Sequence, residues 1–300
     1  MATPLRSTRL LIPAMSLALL ALTVPPAVFA SDFKNQVDAD PQGTVEINGI
    51  GGKVEILGWD QSKIEVTGSD DLTDLVNIRN RGSRTVIEVR PRDGMRSGSD
   101  VGHMIVHVPA KSSVSATWVS ANVKVSGIGG TTNLRTVSGD LTGDVAGDLK
   151  ANSSTGDIRM TARTAGSIEL KTISGDMEIT GGSAELEIST VSGNAKVELA
   201  TLLRGHLKSI SGDLSGRFAL APDADFESES VSGDVSLRFP SQPSAYFDIQ
   251  SISGNIDNCF GPKVEKAQYG PGARLDFKSG DGKAHVRIET KSGDVQVCAK

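Results

Sequence analysis

The chain reads as an all-β protein, a β-solenoid of stacked coils of about 18–21 residues with a less regular N-terminal β region. Three observations carry this reading. A Ser/Thr-Gly-Asp/Asn triplet returns at near-constant spacing. The residues that follow it alternate apolar and polar. The composition also lacks the large side chains of one thick core: 33 Gly in 300 residues, 38% hydrophobic, and only two Trp, two Tyr and eight Phe. Recurring Val, Ile and Leu and a net charge of −5 argue against disorder.

Residues 1–30 have the organisation of a signal peptide. Arg6 and Arg9 form a positive n-region, Leu10 to Val24 is a mostly apolar stretch broken at Pro13, and Val28-Phe29-Ala30 puts small residues at −3 and −1 of a cleavage site. The apolar stretch is shorter than the roughly 20 residues of a spanning helix, and no later run could span a membrane. The expected mature product starts at Ser31 and carries 29 basic against 36 acidic residues, a net charge of −7. Nucleic acid is a poor partner for such a chain. The expected compartment is the periplasm or the cell surface.

Residues 31–115 are expected to form an N-terminal capping β region. Thr44-Val45-Glu46-Ile47 and Lys53-Val54-Glu55-Ile56-Leu57 are strands joined by Gly49-Ile50-Gly51-Gly52, and the same turn returns as Gly127-Ile128-Gly129-Gly130. Strands at Thr85–Val89 and Met104–Val108 flank a loop, Pro91–Val101, rich in Arg, Gly, Ser and Asp.

Residues 116–300 hold the repeats and a C-terminal hairpin. The triplet glycine and its Asp or Asn fall at Gly139-Asp140, Gly156-Asp157, Gly175-Asp176, Gly193-Asn194, Gly212-Asp213, Gly233-Asp234, Gly254-Asn255 and Gly293-Asp294. Spacings between glycines run 17, 19, 18, 19, 21, 21 and 39. A degenerate copy, Ser120-Ala121-Asn122, precedes them, and Ser279-Gly280-Asp281 falls out of step in the last gap. Leu141, Ile158, Met177, Ala195, Leu214, Val235, Ile256 and Val295 stand two residues after each in-step glycine and are all apolar. The next residue is always polar, which is the two-residue period of a strand with one buried face. Each period therefore holds two short strands and two turns. Gly supplies the corner, and Asp or Asn is expected to hydrogen-bond the local backbone there. Val137, Ile173, Val191, Ile210, Val231 and Ile252, just before the triplet Ser, are expected to fill the inside of that corner. Arg159, Glu178 and Lys196 are expected to pair across successive coils.

The signal peptide, the Leu57-Gly58-Trp59-Asp60 segment and the Ile/Val-Ser-Gly-Asp/Asn repeats resemble the bacterial adhesin-like β-strand repeat family over roughly residues 43–298. The resemblance implies the solenoid fold and an envelope protein without catalytic residues. It also implies a link, in some members, to envelope-stress responses.

Cys259 and Cys298 each lie five residues after a repeat glycine. If residues 261–290 are one coil with an inserted hairpin, they are neighbours and a disulfide is expected, in keeping with an oxidising compartment. If the out-of-step triplet marks a full extra coil, they are too far apart to bond. Calcium between the stacked Asp residues is the competing reading of the triplet column. Asn194 and Asn255 in the same column favour a turn role, because Asp and Asn share the acceptor oxygen and not the charge.

Arg79, Arg81, Arg84, Arg90, Arg92 and Arg96 could meet phosphate or lipid head groups, and Asp223, Asp225, Glu227 and Glu229 would share one strand face. A solvated surface is the competing reading of both. His103, His107, His206 and His285 form no nucleophile or metal motif, and Trp59 and Trp118 are the only tryptophans for sugar stacking. Together these features point to no cofactor, no metal and no enzyme. The expected function is a non-catalytic, monomeric interaction or structural module of the envelope, with an envelope component or protein as partner. A periplasmic sensor in envelope-stress signalling is the alternative.

Overall fold

Alternation of buried and exposed residues, maintained for more than a dozen positions in several strands, sets the architecture. The computed structural model describes residues 33–69, 72–90, 102–164, 166–266 and 272–300, the side chains of 265 and 266 excepted. The leader, the loop Pro91–Val101 with Arg92 and Arg96, and the cleavage site lie outside the described residues.

Strand β2 (Thr44–Trp59) is one complete coil. Its first leg lies on one face of the molecule, Gly49–Gly52 turns the corner, and its second leg lies on the opposite face. Strand β7 (Ser113–Ile128) repeats that path and pairs with β2 in parallel from Thr44↔Ser113 to Leu57↔Ser126. Residue 115 therefore falls inside a strand. The corner of β2 is glycine-rich for a local reason: a Cβ on Gly49 would lie inside the ring of Trp118, which is buried in the core.

Each later coil adds a strand to both faces. On the first face the order after β7 is β8 (Thr132–Ser138), β10 (Leu149–Thr155) and β12 (Ser167–Ser174), followed by the second halves of β13 (Met177–Ser192), β14 (Ala195–Ser211) and β15 (Leu214–Ser232). On the opposite face β9 (Leu141–Val145) and β11 (Ile158–Ala162) lead to the first halves of the same three long strands. Inward side chains of the two faces meet, as where Phe218 and Phe226 of β15 stand with ring centroids 5.4 Å apart. Since each coil is only one side chain deep per face, Val, Ile and Leu fill it and aromatic rings are scarce.

The first coil is covered on each face by a strand parallel to it, followed by antiparallel strands. On the opposite face β6 (His103–Pro109) pairs with β2, β3 (Lys63–Gly68) with β6, and β1 (Phe33–Asp38) with β3. On the first face β5 (Arg84–Val89) and β4 (Val76–Arg81) do the same work.

Beyond β15, spatial order departs from chain order. The coil made of β21 (Ala284–Ser292) and β22 (Val295–Ala299) is inserted between two earlier ones. Strand β21 pairs with β15 on one side and with β17 (Ala245–Ser253) on the other. Likewise β22 lies between β16 (Val235–Phe239) and β18 (Ile256–Asn258). The 39-residue gap between the last two triplet glycines is the detour that makes this insertion possible. Within it β20 (Ala273–Ser279) runs antiparallel beside β17, and β19 (Glu265–Lys266) pairs antiparallel with β20, which closes the first face. The out-of-step triplet Ser279-Gly280-Asp281 turns the chain from β20 into β21. The expected hairpin at this turn is absent, because β17 lies between the two strands and each pairs with it instead.

Candidate functional site

The triplet corner organises three parallel columns of side chains, and parity decides which of them faces out. Leu134, Leu170, Ile188 and Leu207 point inward on the first face. Two residues further the inward position belongs to a Ser or Thr: Thr136, Ser153, Thr172, Thr190, Ser209, Ser230, Ser251 and Thr290 are all buried. The aliphatic residue that follows must then point outward. Val119, Val137, Ile173, Val191, Ile210, Val231 and Ile252 are 42–57% exposed. The expectation that Val137 to Ile252 fill the inside of the corner is thus corrected. At some rungs the hydroxyl there donates to a backbone carbonyl of the turn, while those of Thr172, Thr190 and Thr290 are buried with no hydrogen-bond partner among the described residues. Ser209 Oγ donates to the Gly212 carbonyl at 3.1 Å, and Ser251 Oγ donates to that of Gly293 at 3.0 Å. Ser or Thr stands two residues before the triplet in all eight in-step copies, so this column was visible in the sequence.

Glycine is required next to it for two reasons. Gly175 has φ 139°, and a Cβ there would sit 2.2 Å from the Gly156 carbonyl oxygen of the neighbouring coil. Both the left-handed backbone and the close approach of coils exclude a side chain.

The Asp/Asn column forms a continuous ladder between coils. Asp157 N–H donates to Asp140 Oδ1 at 2.9 Å, Asp176 N–H to Asp157 Oδ1 at 2.9 Å, and Asn194 N–H to Asp176 Oδ1 at 2.8 Å. The series continues through Asp213 and Asp234 to Asp294, and ends with Asn255 N–H donating to Asp294 Oδ1 at 2.7 Å. The bonds run to the next coil rather than to the local backbone, which corrects the expected turn chemistry. One acceptor oxygen per rung is what the ladder needs, and Asn194 supplies it as well as Asp does. Among the described residues no group of three or more His, Cys, Asp or Glu is arranged to hold a metal ion.

Cys259 and Cys298 are joined in a disulfide with Cα atoms 4.8 Å apart. They meet because β22 is the direct neighbour of β18, a contact created by the inserted coil.

The charged clusters are largely internally paired. Arg84 meets Glu46 at 2.7 Å, while Arg79 and Arg90 both bond Glu88, in a shallow hollow that also includes Arg81. Asp223, Asp225, Glu227 and Glu229 share the outward face of β15, where Glu229 meets Lys208 at 2.7 Å and Glu227 meets His206 at 3.4 Å. Lys196 pairs with Glu178 at 2.9 Å as expected, whereas Arg159 turns to Asp157 at 2.7 Å. Glu169 lies between Lys150 and Lys171, at 2.7 Å from each; the hydrogen bonds from Lys150, then from Lys171, hold its carboxyl below the usual range. His103 meets Glu55 at 3.2 Å, and His107 stacks on Trp59 with ring centroids 4.9 Å apart. Trp118 is buried and offers no stacking surface.

The unabsorbed feature is the aliphatic column. Register places its rungs in the spatial order Ile50, Val119, Val137, Ser154, Ile173, Val191, Ile210, Val231, Lys291 and Ile252. At coil spacings of about 4.8 Å it forms a stripe roughly 43 Å long. Among the described residues no helix is long and apolar enough to cross a membrane.

Several solved structures are similar to this chain. A candidate cell-adhesion protein from Clostridium sporogenes ATCC 15579 aligns over 89% of this chain and 99% of its own, at 10% identity and a TM-score of 0.24. A candidate lipid-binding protein from Parabacteroides distasonis ATCC 8503 aligns over 89% and 96%, at 12% identity and a TM-score of 0.49. A candidate adhesin from the same organism aligns over 88% and 96%, at 12% identity and a TM-score of 0.39. No curated protein matches the chain in sequence. Residues 44–298, from the first full coil to the second cysteine, match the Toastrack DUF4097 family, and the chain belongs to it.

Proposed function

We propose that this protein is a non-catalytic interaction module of the cell envelope, periplasmic or at the surface, whose contact surface is the exposed aliphatic column. The single observation that carries the reading is that column. Seven aliphatic side chains stand outward in register on a frame of stacked coils. A contiguous apolar stripe on an otherwise charged surface marks an interaction site. Ladders on a rigid stack of coils suit extended contacts. The leader expected at residues 1–30 supports the compartment.

The test compares the intact protein with a variant carrying Ser at Ile173, Val191, Ile210 and Val231. Both are incubated with isolated envelope, and the bound fraction is measured. The variant is expected to lose most of the binding while its thermal unfolding stays close to that of the parent. Equal binding by the two proteins would overturn the reading.

A further inference from the structure

The aliphatic column has a polarity of its own. Four successive rungs, Ile173, Val191, Ile210 and Val231, are bounded at one end by the hydroxyl of Ser154 and at the other by Lys291. Ile252 follows beyond Lys291. Lys291 occupies that rung only because the last coil is inserted between β15 and β17. A groove of about 340 Å3 opens at this end, with Ile210, Val231, Ile252 and Lys291 on its floor and Lys208 and Glu229 on its wall. The charges around it cancel in pairs. Lys208 meets Glu229 at 2.7 Å, and Glu289, which also lines the groove, is held by Arg287. Among the described residues Lys291 meets no carboxylate, so an apolar groove carries one uncompensated cation.

Two physical constraints select the occupant. The strands under the rungs from Val119 to Ile252 each lie between two paired neighbours, so the stripe has no free strand edge. An extended peptide laid along it would cover its own amide groups without replacing their hydrogen bonds, which is costly. An acyl chain has no such groups and no side-chain period to match against the coil spacing. The distance from Ile173 to Lys291 is about 19 Å at about 4.8 Å per coil. A lipid-length chain fits this run, since one leaflet contributes about half of a ~30 Å hydrocarbon core.

We infer that the column binds the acyl chain of an anionic amphiphile, with the hydrocarbon along Ile173 to Val231 and the acidic head at Lys291. The inference rests on the proposed contact surface and names its ligand class. The occupant is a free long-chain fatty acid; a single-chain phospholipid, which shares the anionic head and the polymethylene tail, is the competing outcome of the test.

Calorimetric titration of the full protein with palmitate, below its micelle concentration, tests the inference. Saturable binding of about one palmitate per chain is expected, with decanoate weaker by at least about tenfold because fewer methylenes are buried. Lys291→Glu is expected to weaken palmitate at least about tenfold and Lys291→Arg to preserve it, the head group being recognised by charge. Ile210→Ser with Val231→Ser should weaken it by a similar factor without lowering the unfolding temperature appreciably. Parallel titrations with palmitoyl lysophosphatidic acid distinguish the two sources of the tail. The inference is overturned by absent palmitate saturation, or by variants that bind as the parent does. It is also overturned if a basic amphipathic helical peptide or a second copy of the chain occupies the stripe and palmitate does not compete. Envelope binding lost in the serine variants without any palmitate binding would leave the contact surface standing and remove the amphiphile.

Discussion

Replacing Gly175 by Ala tests whether the coils are held apart by nothing more than two backbones. Its φ of 139° is a conformation that costs an L-residue about 1–3 kcal/mol. The new Cβ would begin 2.2 Å from the Gly156 carbonyl oxygen. Relief requires the coils to separate locally, and such overpacking costs about 1–3 kcal/mol. The Gly175 N–H bond to the Ser192 carbonyl, 3.2 Å long, would be strained with it, adding roughly 1 kcal/mol. The expected destabilisation is about 3–7 kcal/mol, a large part of the roughly 5–15 kcal/mol available to a typical domain. Gly182→Ala is the matched control, since the nearest atom to a Cβ there is the Arg163 carbonyl oxygen at 3.5 Å. It should shift stability by less than about 1 kcal/mol. Urea unfolding followed by far-ultraviolet circular dichroism measures both. Indistinguishable midpoints for the two variants would refute the account of the corner.

Asp176→Ala removes the acceptor for the Asn194 N–H and should cost about 1–2 kcal/mol in urea unfolding, whereas Asp176→Asn keeps the oxygen and should be nearly neutral. Reducing the disulfide, or Cys259→Ser, releases a cross-link between positions 39 residues apart and should cost about 4 kcal/mol by the chain-entropy estimate. Differential scanning calorimetry with and without reductant would show it. The carboxyls of Glu169 and Glu229 are held below their usual range by hydrogen bonds from their lysine neighbours. Their contribution to stability is therefore complete above the ordinary carboxylate range and lost as pH falls below that range, through their lowered values. Melting temperature followed over that window should fall less steeply in Glu169→Gln.

The corners and the inward-facing strands were legible in the sequence because glycine holds the corner in all eight in-step copies and because strand parity is strict. The aliphatic column was legible too, but only by parity. Counting outward from Leu134 places Val137 on the surface, while hydrophobicity alone places it inside. The column shows that a half-exposed β-branched residue is a normal occupant of a strand whose neighbours are β-branched as well. The insertion of the last coil was not legible. The triplets identify corners and say nothing about which corner stacks on which. The 39-residue gap before Gly293 is compatible with a coil added at the end or placed in the middle. Lys291 was hidden with it, since its position among aliphatic rungs exists only in the inserted arrangement.

The inserted coil sets a rule for how this architecture can change. Between β7 and β15, each coil touches only the one before it and the one after it in the chain, so a coil could be duplicated or deleted there and the remaining strands would close up in register. Between β15 and β22 the chain passes over a vacant place and returns to fill it. The segment 245–258 and the segment 284–299 are therefore interdependent: neither can be lost, copied or moved alone. Variation in length among chains built on this plan should concentrate between β7 and β15, with the later part conserved as one indivisible unit.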